Sequence, residues 1–239
     1  GIKVAQFSMA TTETWRDKEG AVQEQTEWHT IIAWRGLADV VEILSNKKIY
    51  ESVENVDLGY RIVSFMRERI DKMRNDTHLN FSLLATSGEY ISGRFVDIDK
   101  KYFEHSVLAK GYYVNSFHVN VDSQIHPFRK IEIEGPFHKI CNGGAITYVE
   151  FESSPMGNEE AIFEIIISAI KNSVSYLGIN FPKDICNKCG NEGTFDICPV
   201  CGSDDIRRIR RVSGYLEYYD HFTTGKLHEV RDRKANRFG

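Results

Sequence analysis

The sequence predicts an α/β chain, with α+β as the alternative. Two stretches of helical period, residues 53–74 and about 159–177, enclose short runs that read as buried strands. At the C-terminal end two Cys-x-x-Cys pairs, Cys186/Cys189 and Cys198/Cys201, stand shortly before Arg-Arg-Val-Ser-Gly-Tyr-Leu, with Gly214 at its centre. The composition also changes abruptly: Trp15, Trp28 and Trp34 all fall within the first 34 residues, and all five cysteines fall after residue 140.

The chain has 239 residues, 41% of them hydrophobic, enough to bury the core of one large domain or two small ones. A net charge of −4 excludes a uniformly basic nucleic-acid binder while leaving room for local basic patches. The most apolar stretch, residues 161–170, is broken by Glu164 and is too short to span a bilayer. A soluble, cytoplasmic protein is expected. The sequence opens on Gly1 with no readable targeting segment, as a piece of a longer product or one freed of a tag would. No repeat or proline-rich linker marks a boundary.

In chain order, residues 4–9 and 27–34 read as strands joined at the turn Asp17-Lys18-Glu19-Gly20, a hairpin. Between residues 53 and 74, Val56, Ile62, Val63, Phe65, Met66, Ile70 and Met73 recur at three and four with charges between them, an amphipathic helix. Strands are expected at residues 80–85, 116–121, 130–134 and 145–151. In the helix from about 159 to 177, Ile162, Phe163, Ile165, Ile166, Ile167 and Ile170 cover so much of the circumference that it should be largely buried.

Several short words carry candidate chemistry. Ala85-Thr86-Ser87-Gly88 follows an apolar strand with small residues whose backbone N–H groups suit an anion such as phosphate. Asn115 and His118 lie near a strand start, and His138 precedes Cys141-Asn142-Gly143-Gly144; a lone histidine more often completes a local hydrogen bond than does chemistry.

The four cysteines suit a tetrahedral zinc site, closed and therefore structural, because four thiolates leave no position for substrate or water. Gly190 and Gly202 follow the second ligand of each pair, where the backbone must turn tightly and aim N–H groups at sulfur. Two disulfides, or iron in the same geometry, are the alternatives. On its own, Gly214 reads as a turn residue.

The opening words Val4-Ala5-Gln6-Phe7-Ser8-Met9-Ala10-Thr11-Thr12, Trp15, Gln25-Thr26-Glu27-Trp28-His29 and Gly36-Leu37-Ala38 resemble the middle of a bacterial single-stranded-DNA-binding protein. The resemblance implies an OB-fold-like β segment, incomplete because five strands are needed and two or three are supplied, with Trp15, Trp28 and Trp34 as base-stacking platforms. Arg16, Lys18 and Arg35 would then meet phosphates. Packing of the tryptophans against the rest of the chain is the competing reading.

From about residue 43 onward the words Asn80-Phe81-Ser82-Leu83-Leu84-Ala85-Thr86, Ser92-Gly93-Arg94-Phe95, Asn115-Ser116-Phe117-His118-Val119 and Asn142-Gly143-Gly144-Ala145-Ile146-Thr147-Tyr148 occur in the order seen in class III, anaerobic ribonucleotide reductases. The tetracysteine group followed by Val212-Ser213-Gly214-Tyr215-Leu216 resembles the same family. The resemblance implies the C-terminal half of a ten-stranded α/β barrel, with Ala85, Thr86, Ser87 and Gly88 at the nucleotide phosphates. It also implies a zinc-ribbon-like module and a glycyl radical stored at Gly214. The segments would be 1–42 (OB-like), 43–180 (partial barrel), 181–205 (zinc module) and 206–239 (radical loop and tail).

The same family implies an iron–sulfur, radical-S-adenosylmethionine activase, a ribonucleoside triphosphate substrate, formate or a thioredoxin-like system as reductant, and a homodimer. Its thiyl cysteine belongs upstream of what residue 43 matches, Cys141 does not stand in its setting, and no ATP-cone region is read. Arg207, Arg208, Arg210 and Arg211 are expected to order the loop or meet the activase. The remaining alternatives are a single-stranded-DNA-binding module and a chimeric zinc-binding fold without catalysis, joined near Glu42.

Overall fold

The computed structural model describes residues 3–16, 19, 21–86, 88–212 and 215–237. Strands β1 (Lys3–Arg16) and β2 (Val22–Arg35) form the expected hairpin, but each runs to 14 residues and they pair antiparallel from Lys3↔Arg35 to Arg16↔Val22. Asp17, Lys18 and Gly20 of the turn lie outside the described residues. The chain then turns at Gly36, which has φ 78° and donates its N–H to the Val114 carbonyl at 3.0 Å. Glycine suits that left-handed conformation because it has no Cβ to clash.

Helices α1 (Leu37–Ser45) and α2 (Val53–Thr77) follow. α2 starts where the Ser52 hydroxyl accepts the Asn55 N–H at 3.2 Å, and it closes on His78 in the left-handed region at φ 58°. Part of the predicted stripe faces the core: Val63 and Ile70 are buried, with Ile62, Met66 and the unpredicted Leu58 packed beside them, while Met73 at the far end is exposed. Phe65 lies outside the stripe, exposed, with the Arg69 guanidinium 5.5 Å from its ring.

Strand β3 (Asn80–Ala85) runs parallel to β2, with His29↔Asn80 through Trp34↔Ala85 in register. The sheet order is therefore β1-β2-β3, and the opening hairpin is hydrogen-bonded into the α/β body. Leu84 bridges in parallel to Gly144 on the other side of β3. Then come α3 (Glu89–Asp99), the short α4 (Ser106–Ala109) and α5 (Pro127–Ile140).

Two expected strands are absent at their places. Residues 130–134 lie inside α5, where the alternation Lys-Ile-Glu-Ile-Glu imitates a two-residue period. The Lys130–Glu134 ion pair, 2.5 Å, spans one helical turn, and His126 caps the start by accepting the Phe128 N–H at 3.3 Å. Gly135 and Pro136 inside α5 argue locally against a helix, and burial against the core overrides them. Residues 116–121 are turns and irregular chain. Their backbone bonds locally and to side chains, as where the Val119 N–H reaches Glu134 Oε1 at 2.9 Å.

Strand β4 (Thr147–Glu150) pairs in parallel with β5 (Leu177–Asn180), and α6 (Glu159–Lys171) connects them. α6 is shorter than expected and much less buried. Ile165 and Ala169 are buried, while Phe163 and Ile170 are 64% and 67% exposed. The main core gathers α1, α2, β3 and α5 around Phe117 and Phe137, whose rings stack at 5.1 Å; a second core of Ile131, Val149, Ile165 and Ala169 lies under α6.

Beyond β5 the chain forms a separate antiparallel sheet from β6 (Lys183–Cys186), β7 (Glu192–Gly193), β8 (Ile206–Val212) and β9 (Tyr215–Tyr218), in the order β7-β6-β8-β9. Helix α7 (Thr224–Asp232) ends the regular structure. Among the described residues no helix is long and apolar enough to cross a membrane.

Candidate metal centre and C-terminal hairpin

The two Cys-x-x-Cys turns sit at the end of β6 and in the loop between β7 and β8. Their four Sγ atoms all lie within 4.8 Å of one another, with Cys186 and Cys201 at 3.5 Å and Cys189 and Cys198 at 3.6 Å. A tetrahedral zinc with Zn–S bonds of about 2.3 Å sets its sulfurs roughly 3.8 Å apart, so the tetrad fits such an ion with little adjustment. No disulfide joins any two of the cysteines.

Each turn repeats the same backbone. The Gly190 N–H returns to the Cys186 carbonyl and the Gly202 N–H to the Cys198 carbonyl, both at 2.9 Å, with φ of 75° and 70°. The glycines thus make the turns, as expected, but their N–H groups close the turn onto carbonyls. The sulfur-directed donors are Asn191 toward Cys189, and Val200 and Cys201 toward Cys198.

These donors divide the thiols. Burial pushes the Cys198 thiol up, but the N–H groups of Cys201 and Val200 and hydrogen bonds from Cys189 and Cys201 more than reverse it, to about 6. At Cys189 the Asn191 N–H acts downward, yet burial and the three neighbouring sulfurs lift it to about 12. Four thiols this close resist ionising together, and a cation between them removes that conflict.

β8 leaves the cysteine module and pairs with β9, Val212↔Tyr215, so residues 213 and 214 join the two strands. Gly214 and Ser213 lie outside the described residues. The arginines before them are all engaged within the chain. Arg207 lies 5.5 Å from the Tyr218 ring, Arg208 meets Asp196 at 2.9 Å and Arg210 meets buried Asp184 at 2.7 Å. Arg211 reaches Glu150 at 2.5 Å and stacks 3.6 Å from the Tyr148 ring centroid.

Glu150 was not singled out by the sequence, since an acidic residue ending a strand carries no motif. Burial raises its carboxyl, and Arg211, then Arg233 and the Asn180 amide outweigh that and hold it at about 2. Glu229 behaves alike: burial is overcome by Lys226 at 3.0 Å and Arg233 at 2.7 Å, and its carboxyl stays well below the usual range.

The other candidates take separate places. Ala85 ends β3 and donates its N–H to the Gly144 carbonyl at 3.1 Å; Gly88 donates to Thr86 Oγ1 at 3.3 Å and precedes α3. Ser87 lies outside the described residues. His118 is buried with Nε2 2.7 Å from the Ile146 carbonyl, and burial lowers its pKa to about 4. His138 bridges Ser175 and Thr147, each at 2.9 Å, and burial likewise lowers it to about 4. Both are neutral packing histidines. Cys141 is buried in the main core.

For Trp15, Trp28 and Trp34 only the backbone is described. Trp34 is in register with the core residue Ala85, and Trp28 shares its parity on β2. Trp15 lies opposite Gln23, a position of the other parity.

A partial parallel sheet with covering helices is followed by a four-cysteine module and a β8–β9 hairpin tied to β4, the arrangement of an α/β protein with a small cysteine-rich appendage. The chain belongs to the anaerobic ribonucleoside-triphosphate reductase family, whose sequence profile matches residues 2–235. It is 33% identical over 216 residues to the anaerobic ribonucleoside-triphosphate reductase of Salmonella typhimurium, covering 84% of this chain and 30% of that protein. The chain thus spans about a third of that relative's length.

A solved anaerobic ribonucleotide reductase superposes with a TM-score of 0.73 at 19% identity, covering 88% of this chain and 34% of that one, and so shares the fold. Separately, 40 residues are 50% identical to single-stranded DNA-binding protein 1 of Chlorobaculum tepidum, 17% of this chain and 25% of that protein.

Proposed function

We propose that this chain is the C-terminal, radical-bearing part of an anaerobic ribonucleoside-triphosphate reductase, which converts ribonucleotides to deoxyribonucleotides and needs the N-terminal barrel half for turnover. The observation that carries the reading is the β8–β9 hairpin: it joins the tetracysteine module to barrel strand β4 through Arg211 and Glu150, with Gly214 between its paired strands. Segments 1–42, 43–180, 181–205 and 206–239 act as OB-like β segment, partial barrel, zinc module and radical tail.

In this reading Cys186, Cys189, Cys198 and Cys201 hold a structural zinc, which fixes the chain's fold and takes no part in the chemistry. Gly214 stores the radical. Loss of one hydrogen atom from its Cα, taken by a radical-S-adenosylmethionine activase, leaves a near-planar centre between an amide nitrogen and a carbonyl, with no side chain to obstruct it. The radical passes to a cysteine of the complementing half, and formate serves as reductant. Ala85, Thr86, Ser87 and Gly88 hold the nucleotide phosphates at the start of α3, whose N-terminus favours anions. The Ala85 N–H is held by the Gly144 carbonyl and the Gly88 N–H by Thr86 Oγ1, bonds that shape the turn from β3 into α3. The intact enzyme is a cytoplasmic homodimer.

The test is anaerobic incubation of the purified chain with an activase and S-adenosylmethionine, read by electron paramagnetic resonance. A doublet that collapses when α-deuterated glycine is incorporated, and that is missing from Gly214→Ala, supports the reading. Its absence from the wild-type chain sinks it. Single-stranded-DNA binding by Trp15, Trp28 and Trp34 is the weaker reading. Residues 10–28 contain five acidic residues (Glu13, Asp17, Glu19, Glu24, Glu27) against two basic ones (Arg16, Lys18), which repels a phosphate backbone.

A further inference from the structure

The hairpin that carries Gly214 is held at its base by a chain of buried charges that the metal site does not explain. On its upstream strand the Arg211 guanidinium carbon sits 3.6 Å from the Tyr148 ring centroid and the group donates Nη2 to Glu150 Oε1 at 2.5 Å; both partners belong to β4. On its downstream side, past α7, Arg233 donates Nη1 back to the Arg211 carbonyl at 3.0 Å and Nη2 to Glu229 at 2.7 Å. Residues 212–232 therefore form a loop whose two ends meet at one guanidinium.

Both ends are also tied to the barrel. The Asn236 N–H reaches the Glu150 carbonyl and the Glu150 N–H reaches Asn236 Oδ1, each at 2.9 Å. α7 lies backbone to backbone on α3: a Cβ at Gly225 would come 2.5 Å from the Gly93 Cα. Asp232 accepts from Tyr112 at 3.1 Å.

We propose that Glu150, Arg211, Arg233 and Glu229 are positioning residues that fix the radical hairpin against the end of β4. The proposal rests on the reading of Gly214 as the radical site. Buried ion pairs are poor sources of stability compared with apolar packing, but they are directional. Apolar contacts tolerate sliding, whereas a forked guanidinium bonded on two sides does not. Moving a hydrogen atom to or from Gly214 requires the reacting atoms to be nearly in contact, and about 1 Å of misplacement costs on the order of 10²-fold in rate.

The full chain is the material for the test. Glu150→Gln removes the charge without changing shape, and Arg233→Lys keeps the charge but loses the fork. Metal content, amide hydrogen exchange and radical yield after activation are measured on each. We expect exchange across residues 206–218 to rise at least tenfold while α2 amides and metal content stay as in wild type, and the initial rate of radical formation to fall by about 10²-fold. Unchanged exchange at residues 206–218 in both variants overturns the anchoring. Loss of α2 protection in both also overturns it, because the role is then global folding. If exchange responds as expected but the wild-type chain yields no doublet, the error lies in the radical assignment, and the positioning role falls with it.

Discussion

The body of the chain and its C-terminal module are built from different materials. Between residues 37 and 180 the buried set is largely aliphatic and aromatic, with the Phe117–Phe137 stack near its centre. Among the described residues after 180, the only buried side chains of apolar type are Cys186 and Cys198. The other buried side chains there are those of Asp184, Arg211, Lys226, Glu229 and Asn236. Apolar burial scales with area and needs bulk, which a segment of this size cannot supply. The module has bonds with direction instead, carboxylate to guanidinium, and beside them four sulfurs close enough to share the metal proposed above.

The sharpest way to break this comparison is to remove the metal. Chelation, or Cys198→Ser, should unfold the β6–β9 sheet and leave α2 and α5 protected, since a structural zinc contributes apparent binding free energy of about 10–16 kcal/mol. Amide exchange with metal analysis reads the outcome, and a module that keeps its protection after chelation would show that ion pairs alone suffice. The converse perturbation is Phe137→Ala, expected to cost about 3–5 kcal/mol in denaturant unfolding without releasing metal.

A pH titration separates the two materials further. The Glu150 carboxyl lies near 4.5 unfolded and about 2 folded, so its contribution is fully present above pH 4.5 and is lost as pH falls toward 2. That loss amounts to about 3 kcal/mol, and Glu150→Gln should flatten it in the acid limb of the stability profile. Gly225→Ala should cost about 1–3 kcal/mol by forcing α7 away from Gly93, measured as a drop in melting temperature. At the bottom of the scale, Arg61→Ala removes a solvent-exposed pair with Asp57 and should shift stability by less than about 1 kcal/mol.

The sequence was most readable where chemistry is carried by spacing. The cysteine pairs, their following glycines, the middle of the α2 stripe (Ile62, Val63, Met66, Ile70) and the β3 and β4 runs stand in the structure where the pattern places them. It misled where a two-residue alternation lay inside a helix, because Ile131 and Ile133 are buried for tertiary reasons that period alone cannot separate from a strand. The same limit applies to α6: its apolar circumference predicts burial, yet only Ile165 and Ala169 meet the second core.

What the amino-acid order determined by itself is local: the spacing of the cysteine pairs, the glycine turns that follow them, and the helix whose apolar residues recur at three and four. Such features depend on neighbours within a few positions and survive in one dimension. Only the tertiary structure decided that Glu150 faces Arg211 from 61 residues away, that Arg233 closes the loop on the Arg211 carbonyl, and that the opening hairpin joins β3. Those pairings rest on desolvation and geometry shared between distant segments, and no single segment encodes them.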